Sequence, residues 1–203
     1  MDIKIVNSIP NAKATITKST DGGYIISITE DEKRVLGNMN PGSVVKLGNR
    51  EYIVLEHSED TTAIIAKEFA KKMQFGDNGD YANSNIRKYC NGEFYSELVD
   101  AVGEENIIEH TVNLVADDGT GKDKMCKDKV SILTTDLYRR YSEYLPEYGD
   151  LWWTVTRVSH NDSRGYSRHV CCVDSFGVLR WNDCGSCRGV RPFCILKSSI
   201  LVS

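Results

Sequence analysis

The sequence predicts a single α+β domain over residues 41–203, preceded by a β extension over residues 1–40. Three observations lead there. Strand-like alternation and tight-turn signals fill the first third of the chain. Helical periodicity is confined to two stretches in the middle, and from Leu151 onward short β segments are separated by Gly, Asn, Asp and Ser. With 203 residues, 40% of them hydrophobic, the chain can build a sizeable core, and wholesale disorder is excluded. No apolar run approaches the roughly 18 residues of a membrane helix. The stretch from Met1 to Asn7 lacks an apolar signal region, so the expected location is the cytoplasm, or a virion or cell surface reached through another component. A net charge of −4 argues against a phosphate-binding surface, and no nucleic-acid partner is expected.

Taken in order, Ala14 to Ser19 alternates, Asp21-Gly22-Gly23 signals a turn, and Tyr24 to Ile28 returns as a second strand. Thr29 with Glu32 fits a capping box for a short helix through Leu36, with Gly37 placed to stop it. Pro41-Gly42 opens a new unit. Val44 to Leu47, the Gly48-Asn49 turn and Tyr52 to Leu55 make a hairpin, to which Thr62 to Ala66 adds a strand. Ser84 is placed to cap a helix carrying Ile86, Tyr89 and Cys90, broken at Asn91-Gly92 and resumed around Phe94, Leu98 and Val99. Asp117 to Asp123 reads as a polar loop and Val130 to Leu133 as a strand. Thr135 is placed to cap a helix through Tyr138, Tyr141 and Tyr144.

Seven cysteines, five of them between Cys171 and Cys194, fit no disulfide framework, because the number is odd and no export signal is present. The same region has a second anomaly. Thr154 to Leu196 spans 43 residues with no Lys, Glu, Gln or Met, whereas the other 160 residues hold 32 of these types, so chance is a weak explanation. Short strands and turns disfavour some of these residues, yet exposed strand faces normally use Lys and Glu freely. The genetic code offers a sharper account. An AAC or AAT codon whose adenines are replaced at random reaches every amino acid except Lys, Glu, Gln, Met and Trp. Trp181, the one Trp of the segment, would then be a fixed position, and unpaired cysteines would be samples from the reachable set.

Several motifs resemble a known family. They are Gly48 to Leu55 as an opening hairpin, the Ser84-x-x-Arg87 and Asn91-Gly92-x-Phe94 helix segment, and Ile132-Leu133-Thr134-Thr135 with Tyr138. Trp152-Trp153 and Gly189-Val190-Arg191-Pro192 complete the set. Together, over roughly residues 41–197, they are similar to a domain of uncharacterised function in bacteria and phages, related to the formylglycine-generating-enzyme branch of the C-type-lectin fold. Members of that superfamily serve as variable proteins of diversity-generating retroelements, in which adenine-directed mutagenesis rewrites a C-terminal repeat. This chain departs from the family where Thr154-Val155-Thr156-Arg157 follows the Trp pair and where Phe193-Cys194 follows Pro192. The resemblance implies a C-type-lectin-like fold with short strands, about two helices and a loop-rich C-terminal part.

It also implies a non-enzymatic ligand-binding protein with no cofactor, whose partner is an unknown protein or surface ligand. The variable segment runs over about 154–190. Its scaffold is Trp152, Trp153, Gly189, Val190, Arg191 and Pro192, with Val155 and the Val178-Leu179 pair as further anchors. The expected ligand-binding positions are Ser159, His160, Asn161, Asp162, Ser163, Arg164, Tyr166, Ser167, Arg168 and His169, continuing through Cys171, Asp174, Ser175, Arg180, Asn182, Asp183, Cys184, Ser186 and Cys187. Tyr, Ser, Asn, His and Arg in this mixture resemble an antibody paratope, with adaptable hydrogen bonding and aromatic area. Surface substitutions at such positions usually cost within about ±0.5 kcal/mol.

Rival chemistry is weaker. Cys184-Gly185-Ser186-Cys187 has zinc-ligand spacing but no second pair at knuckle spacing, and adjacent Cys171 and Cys172 would point to opposite faces of a strand. No cysteine pair matches the catalytic pair of formylglycine-generating enzymes. The Asp117 to Asp123 loop lacks both calcium-loop and phosphate-loop order. Glu-Pro-Asn and Gln-Pro-Asp, the sequences of calcium-dependent sugar binding, do not occur. His57 and His110, with no evident carboxylate or serine partner, read as structural histidines. A fixed-sequence domain of the same fold, acting as a metal-containing enzyme or a structural phage or surface component, is the competing reading.

Overall fold

Alternation along the central strands sorts their side chains into two cores, one on each face of a sheet. The computed structural model describes residues 12–30, 33–147, 149–161, 163, 165 and 168–203, with backbone only at 12–14 and 28–30. The capping pair Thr29–Glu32 is not realised as a helix: Thr29 lies in a strand, and Glu32 lies outside the described residues. Asp162, Arg164, Tyr166 and Ser167 also lie outside them.

The strands of the first half are β1 (Ala12–Lys18), β2 (Tyr24–Glu30), β3 (Arg34–Val35), β4 (Val44–Leu47), β5 (Arg50–Ser58), β6 (Thr61–Ala66) and β7 (Lys71–Gln74). Then come β8 (Ile107–Ile108), β9 (His110–Asn113), β10 (Met125–Asp128) and β11 (Val130–Ser131). The last third holds β12 (Trp152–Arg157), β13 (His169–Val173), β14 (Leu179–Asp183), β15 (Cys187–Val190), β16 (Phe193–Lys197) and β17 (Leu201–Val202). The α-helices are α1 (Asn85–Tyr89), α2 (Tyr95–Val102) and α3 (Thr135–Tyr141).

The central sheet has the order β11-β16-β6-β5-β4, with β8 also on β16. Gly48, at φ 57°, makes the β4–β5 turn that the Gly-Asn pair predicts. On one face Tyr52, Val54, Ile64, Ala66, Cys194 and Leu196 pack with Ile86, Cys90, Phe94 and Leu98 of the helical segment over residues 85–102. On the other face Ile53, Leu55, Ile65 and Phe193 pack with Tyr138 and Tyr141 of α3 and with Trp152 and Val173 of a second sheet. That second sheet has the order β14-β13-β12-β15-β7, and its only parallel pair is β12–β15. The Trp pair is divided between the cores: Trp153 enters the first and Trp152 the second.

Two boundaries differ from the sequence expectation. Residues 34–36 belong to the domain and not to the extension, because β3 pairs with β17 and Leu36 is fully buried in the first core. The cap of α3 is Thr134, whose hydroxyl accepts from the Leu137 N–H at 3.1 Å, one residue earlier than expected. Its neighbour Thr135 is buried instead, with its N–H on Thr156 Oγ1 at 3.1 Å. The break expected at Asn91-Gly92 is a π-type turn over Cys90–Phe94 that carries α1 on into α2.

Candidate functional site

The segment read as variable forms β12 to β15 and their connections. Its framework is largely apolar and buried. Trp152, Trp153, Val155, Val170, Val173 and Val190 are each at most 2% exposed. Trp153 anchors the sheet edge by donating its indole N–H to the Met73 carbonyl at 3.0 Å. Arg191 is fully buried, donates Nε–H to the Ala66 carbonyl at 3.0 Å, and holds its guanidinium 5.1 Å from the Trp152 ring centroid. Gly189 is required by packing, because a Cβ there would come within 2.7 Å of the Phe69 ring. Of the expected anchors only Val178 departs: it is 43% exposed, and it follows the Asp174–Gly177 turn of the β13–β14 hairpin.

The expected binding positions divide into three groups. Asn161, Ser163, Arg168, Arg180 and Cys187 are exposed, and His160, His169, Asp174, Ser175, Asn182, Asp183 and Ser186 are half-buried. Ser159, Cys171 and Cys184 are corrections. They are at most 5% exposed, so none of them presents a side chain to a ligand. Burial pushes the Cys171 thiol up to about 12 and the Cys172 thiol up to about 11. Cys184 is buried while Cys187 is exposed, so the CxxC pair is split between core and surface. Among the described residues no group of three or more His, Cys, Asp or Glu is arranged to hold a metal ion.

Several of the half-buried polar groups build the loops. Asp174 folds the hairpin turn, its carboxylate accepting from the N–H groups of Phe176 and Val178, both at 2.9 Å, and from Arg180 Nε at 3.2 Å. Asp183 takes a bidentate pair from Arg168 at 2.9 and 2.8 Å, while Arg168 also donates to the Asp77 carbonyl at 2.8 Å. That pair, with the Gly185 N–H, holds the Asp183 carboxyl down at about 2. His160 is fastened from three sides. Its Nε2 lies 2.9 Å from the Leu114 carbonyl, its backbone N–H donates to Thr120 Oγ1 at 2.8 Å, and its Nδ1 lies 3.3 Å from both Lys124 Nζ and Arg157 NH1. The polar loop around Asp117 is thereby bound to the connection after β12, and the Asp117 N–H extends the contact by donating to the Arg157 carbonyl at 2.9 Å.

Composition drew attention away from the hydrophobic part of this surface. Phe176 is 75% exposed and Trp181 58% exposed, both on the β13–β14 hairpin, and the His169 ring meets Trp181 edge-on at 4.6 Å between centroids. Trp181 was legible only as the residue the code argument could not produce. Phe176 had no signal beyond its place in an Asp-Ser-Phe-Gly turn. Exposed aromatics beside hydrogen-bonding side chains can supply contact area at low entropic cost, as in binding surfaces generally.

The Ser84, Arg87, Asn91 and Phe94 motif has a structural use. Ser84 caps α1, accepting from the Arg87 N–H at 3.0 Å. Arg87 Nε donates at 2.8 Å to Asp128, whose side chain is 1% exposed and which also accepts from Tyr81 Oη at 3.1 Å. Asn91 donates to the Val130 carbonyl at 2.9 Å and accepts from the Lys129 N–H at 3.1 Å, tying the π-type turn to β11. His57 bridges Thr62 and the Met39 carbonyl at 2.8 and 2.6 Å. His110 does have a serine partner, Ser131 Oγ at 2.9 Å, but Ser131 is 2% exposed and sits within the packed sheet.

Fold and site define a mixed α/β protein with a framework of two larger sheets and one hairpin, β13–β14, that carries exposed aromatic and polar groups. Residues 59–136 match the model of DUF6273, a domain of unknown function, which spans β6 to the first turn of α3 and ends before β12. No curated protein and no solved structure matches the chain. Among the described residues no helix is long and apolar enough to cross a membrane.

Proposed function

We propose that this protein is a non-enzymatic ligand-binding protein of C-type-lectin-like fold whose C-terminal segment is diversified by adenine-directed mutagenesis. The observation that carries this reading is the total absence of Lys, Glu, Gln and Met from Thr154 to Leu196, a segment that includes exposed loops and hairpin positions where Lys and Glu are ordinary. The scaffold supports it. Two sheets and two helical regions are closed by a C-terminal strand that returns to the central sheet, leaving the outward positions of β13, β14 and their loops free to vary without repacking. The ligand contacts are Asn161, Ser163, Arg168, His169, Arg180, Asn182, Ser186 and Cys187, arranged around the fixed aromatic Trp181. The ligand is a protein or surface group, and no cofactor takes part. The protein acts in the cytoplasm or mounted on a virion or cell surface by another component.

The surrounding locus tests this directly. The expected finding is a reverse transcriptase gene and a second copy of the segment's coding repeat, differing from the first only at adenines of the template. A repeat whose mismatches ignore adenines, or a locus lacking both elements, overturns the proposal.

A further inference from the structure

The sheet face that carries the second core is closed at one row and open at the next. At the closed row Ile65 pairs with Ile53 and Phe193, and all three are at most 4% exposed. Two residues back along β6, the same face carries Ala63, opposite Ile195 on β16 and Glu56 on β5. The short alanine leaves this row unfilled, and among the described residues a cavity of about 300 Å³ stands over it. Leu137 and Tyr141, about one turn apart on α3, line it from the helix. His110 lines it from β9, with its ring edge-on to Phe193 at 5.3 Å between centroids. No residue of the β13–β14 hairpin lines it.

Glu56 reaches this face through a bulge. The β5–β6 register shifts between Val54 and Glu56, so Leu55 and Glu56, neighbours in sequence, both lie on the second-core side. Regular alternation would turn Glu56 away. The carboxylate is held there by two donors, Tyr141 Oη and the Arg140 guanidinium. Burial, and then that carboxylate, push the Tyr141 phenol well above its ordinary value, so it stays a donor. Arg140 is 60% exposed and does not line the cavity. Burial lowers His110 below its ordinary value, which leaves its ring uncharged at neutral pH. The lining therefore holds one formal charge, a carboxylate, beside aliphatic and aromatic side chains.

We propose that this cavity binds a small organic cation, a primary amine carrying a single aromatic ring, with the ammonium on Glu56 and the ring over Ala63, Ile195 and Phe193. A carboxylate offers about four lone-pair sites, and Tyr141 and Arg140 occupy two of them. An ammonium brings three donors and no acceptor, which suits the sites that remain. The Tyr141 and Phe193 rings add contact area and an attraction for the cation. The volume lies at the lower end of the roughly 300–1,000 Å³ of ligand pockets, so the ligand is small. This site is separate from the β13–β14 surface and does not depend on what that surface binds.

Calorimetric titration of the full chain with 2-phenylethylamine at neutral pH is expected to show saturable binding. The neutral analogue 2-phenylethanol should bind about tenfold more weakly or worse, because it lacks the charged hydrogen bond. Glu56→Gln still accepts from Tyr141 and Arg140, so it should keep the fold, lose about the same factor for the amine and leave the alcohol unchanged. Ala63→Leu fills the open row and should weaken both probes. Trp181→Ala, on the hairpin, should leave amine binding as it is. No saturable binding of the amine, amine and alcohol bound alike, an amine affinity unmoved by Glu56→Gln, or a loss in Trp181→Ala overturns the proposal.

Discussion

Asp183 shows how a residue of the segment free of Lys, Glu, Gln and Met can be tied to the fold. Its carboxyl is held at about 2 against an ordinary 3.8, first by the Arg168 guanidinium and then by the Gly185 N–H. A value depressed in the folded chain means that folding favours the charged form. The contribution is therefore complete above about pH 4 and is lost as pH falls toward 2. Both partners are about half exposed, so solvent screening keeps the effect small. Thermal melts of Asp183→Asn and the parent chain should differ at pH 5 to 7 and converge between pH 4 and 2. A difference that persists unchanged at pH 2 would show that the carboxylate's charge is not the cause. Composition marked Asp183 as a binding position, but its partner Arg168 stands fifteen residues away across the β13–β14 pairing, a relation visible only once the strands are in register.

Among the elements, the helical segment over residues 85–102 was the most legible in sequence, because its apolar spacing and its Ser84 cap are both local signals. Its middle was not. Asn91-Gly92 reads as a break, whereas the Asn91 side chain reaches the backbone of residues 129 and 130 and holds the turn open without ending the helix. Asn91→Ala leaves these backbone groups without that side chain and should cost about 1–3 kcal/mol by chemical denaturation. A loss below a few tenths would mean that water replaces the amide fully. The α3 cap was misplaced by one residue for a related reason. Thr134 and Thr135 are equivalent as sequence, and only the buried hydroxyl of Thr156 on β12 decides which of them turns inward. The β13–β14 hairpin is legible as β structure from its short apolar segments and turn residues. The exposure of Val178 and Phe176 is not legible, because an apolar residue beside a short strand looks like a core residue until its place in the turn is known.

For the whole molecule, the two cores share one central sheet, and the Trp152-Trp153 pair reaches one core with each ring. Substitutions in the framework and on the hairpin surface should therefore separate cleanly. Trp153→Ala should cost about 3–5 kcal/mol, since it leaves a large cavity beside Phe75, whose ring lies 5.5 Å away, and frees the Met73 carbonyl. A combined Arg180→Ala, Asn182→Ala and Ser186→Ala variant should stay within about 1–1.5 kcal/mol of the parent, at about 0.5 kcal/mol or less per site. Circular dichroism melts with urea titrations distinguish the two. Comparable losses in both would mean that the hairpin surface is part of the folding framework and is poorly suited to variation.

The short clamp between β3 and β17 bears on how force would pass through the domain. Arg34 lies opposite Val202 and Val35 opposite Leu201, and the Lys46 N–H donates to the Ser203 carbonyl at 2.7 Å. The chain thus enters at residue 33 and leaves at residue 203 side by side. A pull between these points loads the strand pair as a zipper, opening its bonds one after another and not shearing them together. The clamp would yield first and at low force, while the tryptophan framework beneath the β13–β14 hairpin stays out of the load path.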